Sequence, residues 1–178
     1  KSGFAVMIGR SNVGKSTLMN TLVGSKVAIT SPKPQTTRRP VRGIVSDPRG
    51  QIVFVDTPGV LSFKGNPLGH RLSEYIQDAL LEIDLVLYVA DVTRAPGREE
   101  GMAGKLLENI TQPKILVINK IDLGDTYADF YKDMSSRFDA VVEVSAKTSK
   151  NLKLLLEKIF EFLPEGEPFY PEGQFTDM

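Results

Sequence analysis

The sequence predicts a doubly wound α/β domain: a mostly parallel six-stranded sheet with one antiparallel strand, flanked by about five helices. Three observations carry this. Short apolar runs alternate with helically spaced segments, the pattern of strands covered on both faces and joined by right-handed crossovers. One pair of runs, Val41 to Ser46 and Gln51 to Val55, flanks the turn sequence Asp47-Pro48-Arg49-Gly50, so a hairpin supplies the antiparallel strand. Four polar motifs each follow directly on an apolar run, and in such sheets ligands sit at the carboxyl ends of the strands.

Composition narrows the function classes. The 178 residues suit one domain with a sizeable core, and 41% hydrophobic with 25% charged residues describe a globular chain. Lys and Arg together number 22, as do Asp and Glu, so net charge points to neither a strongly basic nor an acidic partner. Without cysteine there are no disulfides and no thiolate metal sites, which fits a reducing compartment. No apolar run approaches the roughly 20 residues of a membrane span. The start at Lys1 has no signal-peptide pattern and reads as trimmed.

In chain order, Phe4 to Ile8 is an apolar strand, followed by Gly9-Arg10-Ser11-Asn12-Val13-Gly14-Lys15-Ser16, the phosphate-binding loop pattern G-x-x-x-x-G-K-S. Thr17 to Val23 is helical, with Leu18 and Leu22 on one face and Gly24 as the C-cap. Lys26 to Pro40, with three prolines, reads as a loop. The hairpin ends in Asp56-Thr57-Pro58-Gly59, and Val60 to His70 is a glycine- and proline-containing loop in which His70 is a solvated residue. Leu72 to Ile83 is a helix and Leu85 to Ala90 a buried strand. Glu99 to Asn109 is a helix and Lys114 to Ile118 a strand closed by Asn119-Lys120-Ile121-Asp122. Tyr127 to Phe138 is a helix and Ala140 to Val144 a strand before Ser145-Ala146-Lys147. Asn151 to Leu163 is an amphipathic helix with Leu152, Leu155, Leu156, Ile159 and Phe162 on one face. The proline-, glycine- and acid-rich stretch 164–178 reads as a linker leaving a domain of residues 1–163.

Each motif has a chemical reading. Gly9 and Gly14 let backbone N–H groups turn inward, and with the helix N-terminus they offer partial positive charge to phosphate oxygens. Lys15 would reach the β- and γ-phosphates and the Ser16 hydroxyl would ligate Mg²⁺. Asp56 suits contact with that ion through water, and Gly59 can bring a backbone N–H to the γ-phosphate because no Cβ blocks the approach. At Asp122 an acceptor-only carboxylate can accept from guanine N1–H and the exocyclic amine, neither of which adenine presents at that edge. Asn119 can tie loops together and touch the base, Lys120 can lie along its plane, and the Ala146 N–H can face guanine O6. Arg38, Arg39, Arg42 and Arg49 form a local basic cluster, read as a solvated face in preference to an RNA contact.

With these motifs in this order, residues 4–163 resemble GTP-binding proteins of the translation-factor-like class of P-loop GTPases. More narrowly they resemble the G domain of the Era family, bacterial ribosome-assembly GTPases. The narrower resemblance rests on Asn12-Val13-Gly14-Lys15-Ser16-Thr17-Leu18-Met19-Asn20, on Lys26-Val27-Ala28-Ile29-Thr30-Ser31 with Lys33 and Gln35-Thr36-Thr37-Arg38, and on Asp56-Thr57-Pro58-Gly59. The tail, with Phe169-Tyr170-Pro171-Glu172 and Phe175-Thr176-Asp177, is similar to that family's link to a C-terminal RNA-binding KH domain. Ser11 stands where the family usually has Pro.

The resemblance implies a slow GTPase switch acting in 16S rRNA processing and assembly of the small (30S) ribosomal subunit. It implies nucleotide contacts from Asn12, Val13, Gly14, Lys15, Ser16, Thr17, Asp56, Gly59, Asn119, Lys120, Asp122, Ser145, Ala146 and Lys147. Mg²⁺ would be held by Ser16, Asp56 and Thr37 or Thr36. Catalysis would fall to Asn12, Lys15, Thr37 and Gly59, with the loops around Thr37 and from Val60 to His70 as switches. Val60 stands where Ras-like enzymes carry a water-orienting Gln, and Asn12 stands where relatives help hold a K⁺. The resemblance further implies a monomer in the cytoplasm, peripheral contact with the inner face of the cell membrane, and 16S rRNA and 30S contacts made mainly through the absent domain. Two other readings stay open: a related GTPase of tRNA modification or large-subunit assembly, and a non-hydrolysing nucleotide-gated interaction module, which the missing Gln favours.

Overall fold

A computed structural model describes residues 1–24, 26–28, 39–57, 72–170 and 175–177. Along the chain lie β1 (Ser2–Ile8), α1 (Lys15–Val23), β2 (Lys26–Ala28), β3 (Val41–Asp47), β4 (Gly50–Val55), α2 (Leu72–Ala79), β5 (Leu85–Asp91) and α3 (Arg98–Glu108). They are followed by β6 (Lys114–Asn119), α4 (Ala128–Lys132), β7 (Ala140–Glu143), α5 (Leu152–Phe162) and β8 (Phe175–Asp177). Six strands form one sheet in the order β3-β4-β1-β5-β6-β7, and only β3 runs antiparallel to its neighbour.

Period-two alternation divides each buried strand between two cores. Val6, Ile8, Val86, Tyr88, Leu116 and Ile118 face one way and pack with Ile76 and Leu80 at α2, Leu106 and Leu107 of α3, and Tyr131 of α4. Ala5, Met7, Leu85, Leu87, Ile115 and Val117 face the other way, against Leu18 and Leu22 of α1 and Leu155 and Ile159 of α5. Burying one such side chain contributes about 1.5–3 kcal/mol, so two filled layers fix the register. None of the described helices is long and apolar enough to cross a membrane.

The structure departs from expectation in three places. The helix expected over Tyr127 to Phe138 is α4, five residues long, then a separate 3₁₀ turn at Ser135–Arg137. Asp133, Ser135 and Ser136 are poor interior helix residues because their side chains compete for backbone groups. The chain tightens to i→i−3 bonds there, from Met134 N–H to Tyr131 O and from Arg137 N–H to Met134 O. The stretch read as a loop from Lys26 contains β2, which pairs antiparallel with β8 in the stretch read as a linker, with Val27 opposite Thr176. Residues 29–38 of that loop and the stretch 58–71 lie outside the described residues, and with them Thr36, Thr37, Gly59, Val60 and His70.

Third, residues 164–170 fold back on the domain. Pro164 O accepts from Ser2 N–H at 3.0 Å, and Phe169 packs on Phe4 with ring centroids 4.6 Å apart. Gln51, 1% exposed, holds this segment. Its Oε1 accepts from the N–H groups of Phe169 and Tyr170 at 2.9 and 3.0 Å. Its Nε2 donates to Tyr170 O at 2.8 Å and Ser46 Oγ at 2.9 Å. That fills the four hydrogen-bonding positions of the amide. This docking lies at the start of β4, the far end of the sheet from the polar motifs. Those motifs sit together because β1, β4, β5, β6 and β7 are parallel and end on the same edge.

Candidate nucleotide-binding site

The phosphate loop takes conformations that side chains would block. Gly9 has φ +153°, and a Cβ there would lie 2.4 Å from Val89 O. Gly14 has φ +96°, and a Cβ would lie 2.4 Å from Asn119 Nδ2. Asn12 sits at φ +65°, left-handed space that asparagine enters more readily than most residues. No side chain caps the N-terminus of α1 at Gly14, so the first N–H groups of the helix face the loop as donors.

Three outside donors set the direction of the loop's peptides. Arg94 Nη1 donates to Ser11 O at 2.8 Å, Lys120 Nζ to Asn12 O at 2.8 Å, and Asn119 Nδ2 to Val13 O at 2.9 Å. In a trans peptide the next N–H points opposite to the carbonyl. The N–H groups of Asn12, Val13 and Gly14 are therefore turned away from these donors, toward the concave side where an anion would sit.

The residues expected to read the base form a second connected set. Asn119, buried at the end of β6, donates to Val13 O and accepts from Ala146 N–H at 3.0 Å. One side chain thus joins the phosphate loop to the loop after β7. The Ala146 N–H, expected to face a base carbonyl, is hydrogen-bonded to Asn119 Oδ1 in this structure. Lys147, next in the turn, is exposed. Asp122 is exposed, with Oδ1 accepting from Ser145 Oγ at 2.8 Å. Ser145 is fully buried and its Oγ also accepts from Thr148 N–H, so it fixes the carboxylate's rotamer. Thr21 Oγ1 links α1 to Ala146 O at 3.2 Å.

Lys120 has φ +69° and also donates to Asp91 Oδ2 at 2.9 Å. Asp91 ends β5 and is 1% exposed. Burial pushes its carboxyl up, but hydrogen bonds from Thr93 and Lys120 outweigh burial and hold it below the usual carboxylate range. Asp91 lies outside the motifs read from the sequence. The signal was available: an acid closing an otherwise apolar strand, at the edge where the other polar motifs begin.

At the phosphate end a cavity of about 500 Å³ is lined by Lys15, Ser16, Arg42, Asp56 and Thr57 among others. Lys15 Nζ donates to Gly9 O, and Thr57 Oγ1 donates to Met7 O at 2.6 Å. Asp56 is ion-paired with Arg42. Arg42 has a side chain 64% exposed, as expected of a solvated basic face, and it also lines this cavity. Thr17 is exposed on the first turn of α1.

A mostly parallel sheet with a glycine loop at β1, an acid at the end of β4, and Asn119, Lys120, Asp122, Ser145 and Ala146 gathered beside that loop defines a P-loop G domain. A family model described as "50S ribosome-binding GTPase" matches residues 4–120, and the chain belongs to that family. It is similar to "GTPase Era" of Heliobacterium modesticaldum, 44% identical over all of this chain and 60% of that protein. Two solved structures also align over the whole chain and 62% of theirs, at 38% identity. One is an Aquifex aeolicus Era variant bound to GDP·AlF₄⁻, with a TM-score of 0.72. The other is Era in complex with MgGDPNP and nucleotides 1506–1542 of 16S ribosomal RNA, with a TM-score of 0.74. The chain spans about 60% of the length of the curated relatives it matches.

Proposed function

We propose that this chain is the nucleotide-binding and GTP-hydrolysing domain of a switch protein acting in 16S rRNA processing and small-subunit assembly. The observation that carries the reading is the bonded set Val13–Asn119–Ala146, with Ser145 on Asp122. It holds an acceptor-only carboxylate rigidly beside an inward-facing phosphate loop. A purine with ring N–H and amine donors can pair with Asp122, whereas adenine offers that carboxylate no donor at the same edge. The ribosomal part of the reading is supported by the likeness to Era captured with MgGDPNP and 16S RNA. We place residues 1–163 in the G domain and the 16S rRNA and 30S contacts mainly beyond it, in a cytoplasmic protein.

The residues present fit Mg²⁺: Ser16 and Asp56 line the same cavity as Lys15, and Thr37 or Thr36 would complete the set. The ion would neutralise charge on the β- and γ-phosphates. Lys15 binds the same phosphates, and the N–H groups of Asn12, Val13 and Gly14 orient them. Val60 has no group to orient water, so hydrolysis is slow unless a cation held near Asn12 offsets the charge that develops on the phosphoryl oxygens. Phosphate release from GTP and from ATP, each with Mg²⁺ and K⁺, tests the reading. Slow turnover confined to GTP is expected; equal turnover of the two, or none with GTP, refutes it.

A further inference from the structure

We infer that the segment from Arg94 to Glu100 is a bracket that sets the shape of the phosphate loop from outside, with Arg94 and Glu100 as positioning residues. Neither lies in a nucleotide motif. The inference rests on the nucleotide reading above.

The loop's conformation needs outside support. Asn12 and Gly14 both lie at positive φ, and such conformations persist where surrounding contacts over-determine them. Asn119 and Lys120 hold the carbonyls of residues 13 and 12. Residues 10 and 11 are held by the bracket. Glu100, its side chain 5% exposed, accepts from Arg10 Nη1 at 3.0 Å. Its other oxygen accepts from Gly97 N–H at 2.7 Å, closing the first turn of α3. A buried carboxylate without its cation is strongly disfavoured, so the pair fixes Arg10 relative to α3. Arg94 then grips Ser11 O.

Arg94 is itself anchored. Its N–H donates to Asp91 O at 3.1 Å, and its carbonyl accepts from Tyr131 Oη at 2.8 Å. Tyr131 is fully buried. A chain of contacts therefore runs from the core under α3 and α4, through the bracket, to the Ser11–Asn12 peptide. That peptide's N–H points into the anion side only while its carbonyl is held on the other. Asp122 and Ser145, on the far loops, make none of these contacts.

The consequence is a split between phosphate and base binding. Arg94→Ala and Glu100→Gln should each lower GDP affinity about tenfold, the order expected when a positioned group is released. Displacement of a bound fluorescent GDP by guanosine, which carries no phosphate, should keep the wild-type midpoint once probe affinity is allowed for. Arg94→Lys, which can still donate to Ser11 O, should recover part of the loss. Arg94 is half-exposed, so its variants fold even where Glu100→Gln does not. Unchanged GDP affinity in both Arg94→Ala and Glu100→Gln, or equal losses for GDP and guanosine, overturns the bracket. A wild-type chain that fails to bind GDP overturns the nucleotide reading first, and the bracket's role with it.

Discussion

Replacing Asn119 by alanine removes a side chain that joins the phosphate loop to the loop after β7. Its two hydrogen bonds, 2.9 Å to Val13 O and 3.0 Å from Ala146 N–H, end on residues that are 0% and 4% exposed. Neither partner has ready access to water. Each group left unsatisfied costs about 1–3 kcal/mol, and since the newly opened space can admit one water, about 2–4 kcal/mol in total is expected. That is a large share of the ~5–15 kcal/mol typical of a domain. The assay is urea unfolding without nucleotide, where the midpoint should fall while the slope is unchanged. Asn119→Asp is the informative control: it keeps an acceptor for Ala146 but sets a carboxylate against the Val13 carbonyl, so at neutral pH it should be at least as damaging. A loss below about 0.5 kcal/mol for Asn119→Ala, the size of an ordinary surface substitution, would refute the claim that this residue ties the two loops.

Three further outcomes are expected. Burial raises the Asp84 carboxyl above the usual carboxylate range despite the bond from Phe4 N–H; its proton is favoured by folding, so its contribution is present at low pH and lost as pH rises through the raised value. Asp84→Asn should therefore stabilise the protein at pH 7, by less than about 1 kcal/mol, with the gain vanishing below the ordinary carboxylate range in thermal melts across pH. Gln51→Leu should free residues 164–170, read as faster hydrogen exchange there, because three backbone groups lose their partners at about 1–3 kcal/mol each; GDP affinity should hold, since the site lies at the other end of β4. K⁺ should accelerate GTP turnover over Na⁺ by about tenfold or more and Asn12→Ala should erase the difference, a preorganised cation being worth several kcal/mol at the transition state.

The six sheet strands were legible because each is a short apolar run bounded by turn residues, and the site was legible because its motifs fall at strand ends. What escaped was set by contacts distant in sequence. β2 and β8 are three residues each and exist through pairing across roughly 150 positions, which no local pattern announces. Gln51 is a polar residue in a strand and looks solvent-facing until residues 169 and 170 arrive to use its amide. Arg94 and Glu100 act on the phosphate loop from some 80 to 90 positions later in the chain, and Asp91 reaches it only through Lys120. The short α4 is masked in the sequence because apolar spacing continues past Asp133, Ser135 and Ser136, whose side chains favour turns.

Selection of a guanine nucleotide by Asp122, beside an inward-facing phosphate loop, can be read from calorimetric titration of the wild-type chain and Asp122→Asn with GDP and with xanthosine diphosphate. Xanthine presents a carbonyl where guanine presents its amine, and asparagine can donate where aspartate only accepts. Wild type should prefer GDP and Asp122→Asn should invert the preference, with both proteins equally folded. A variant that keeps the wild-type ratio of the two affinities would contradict it.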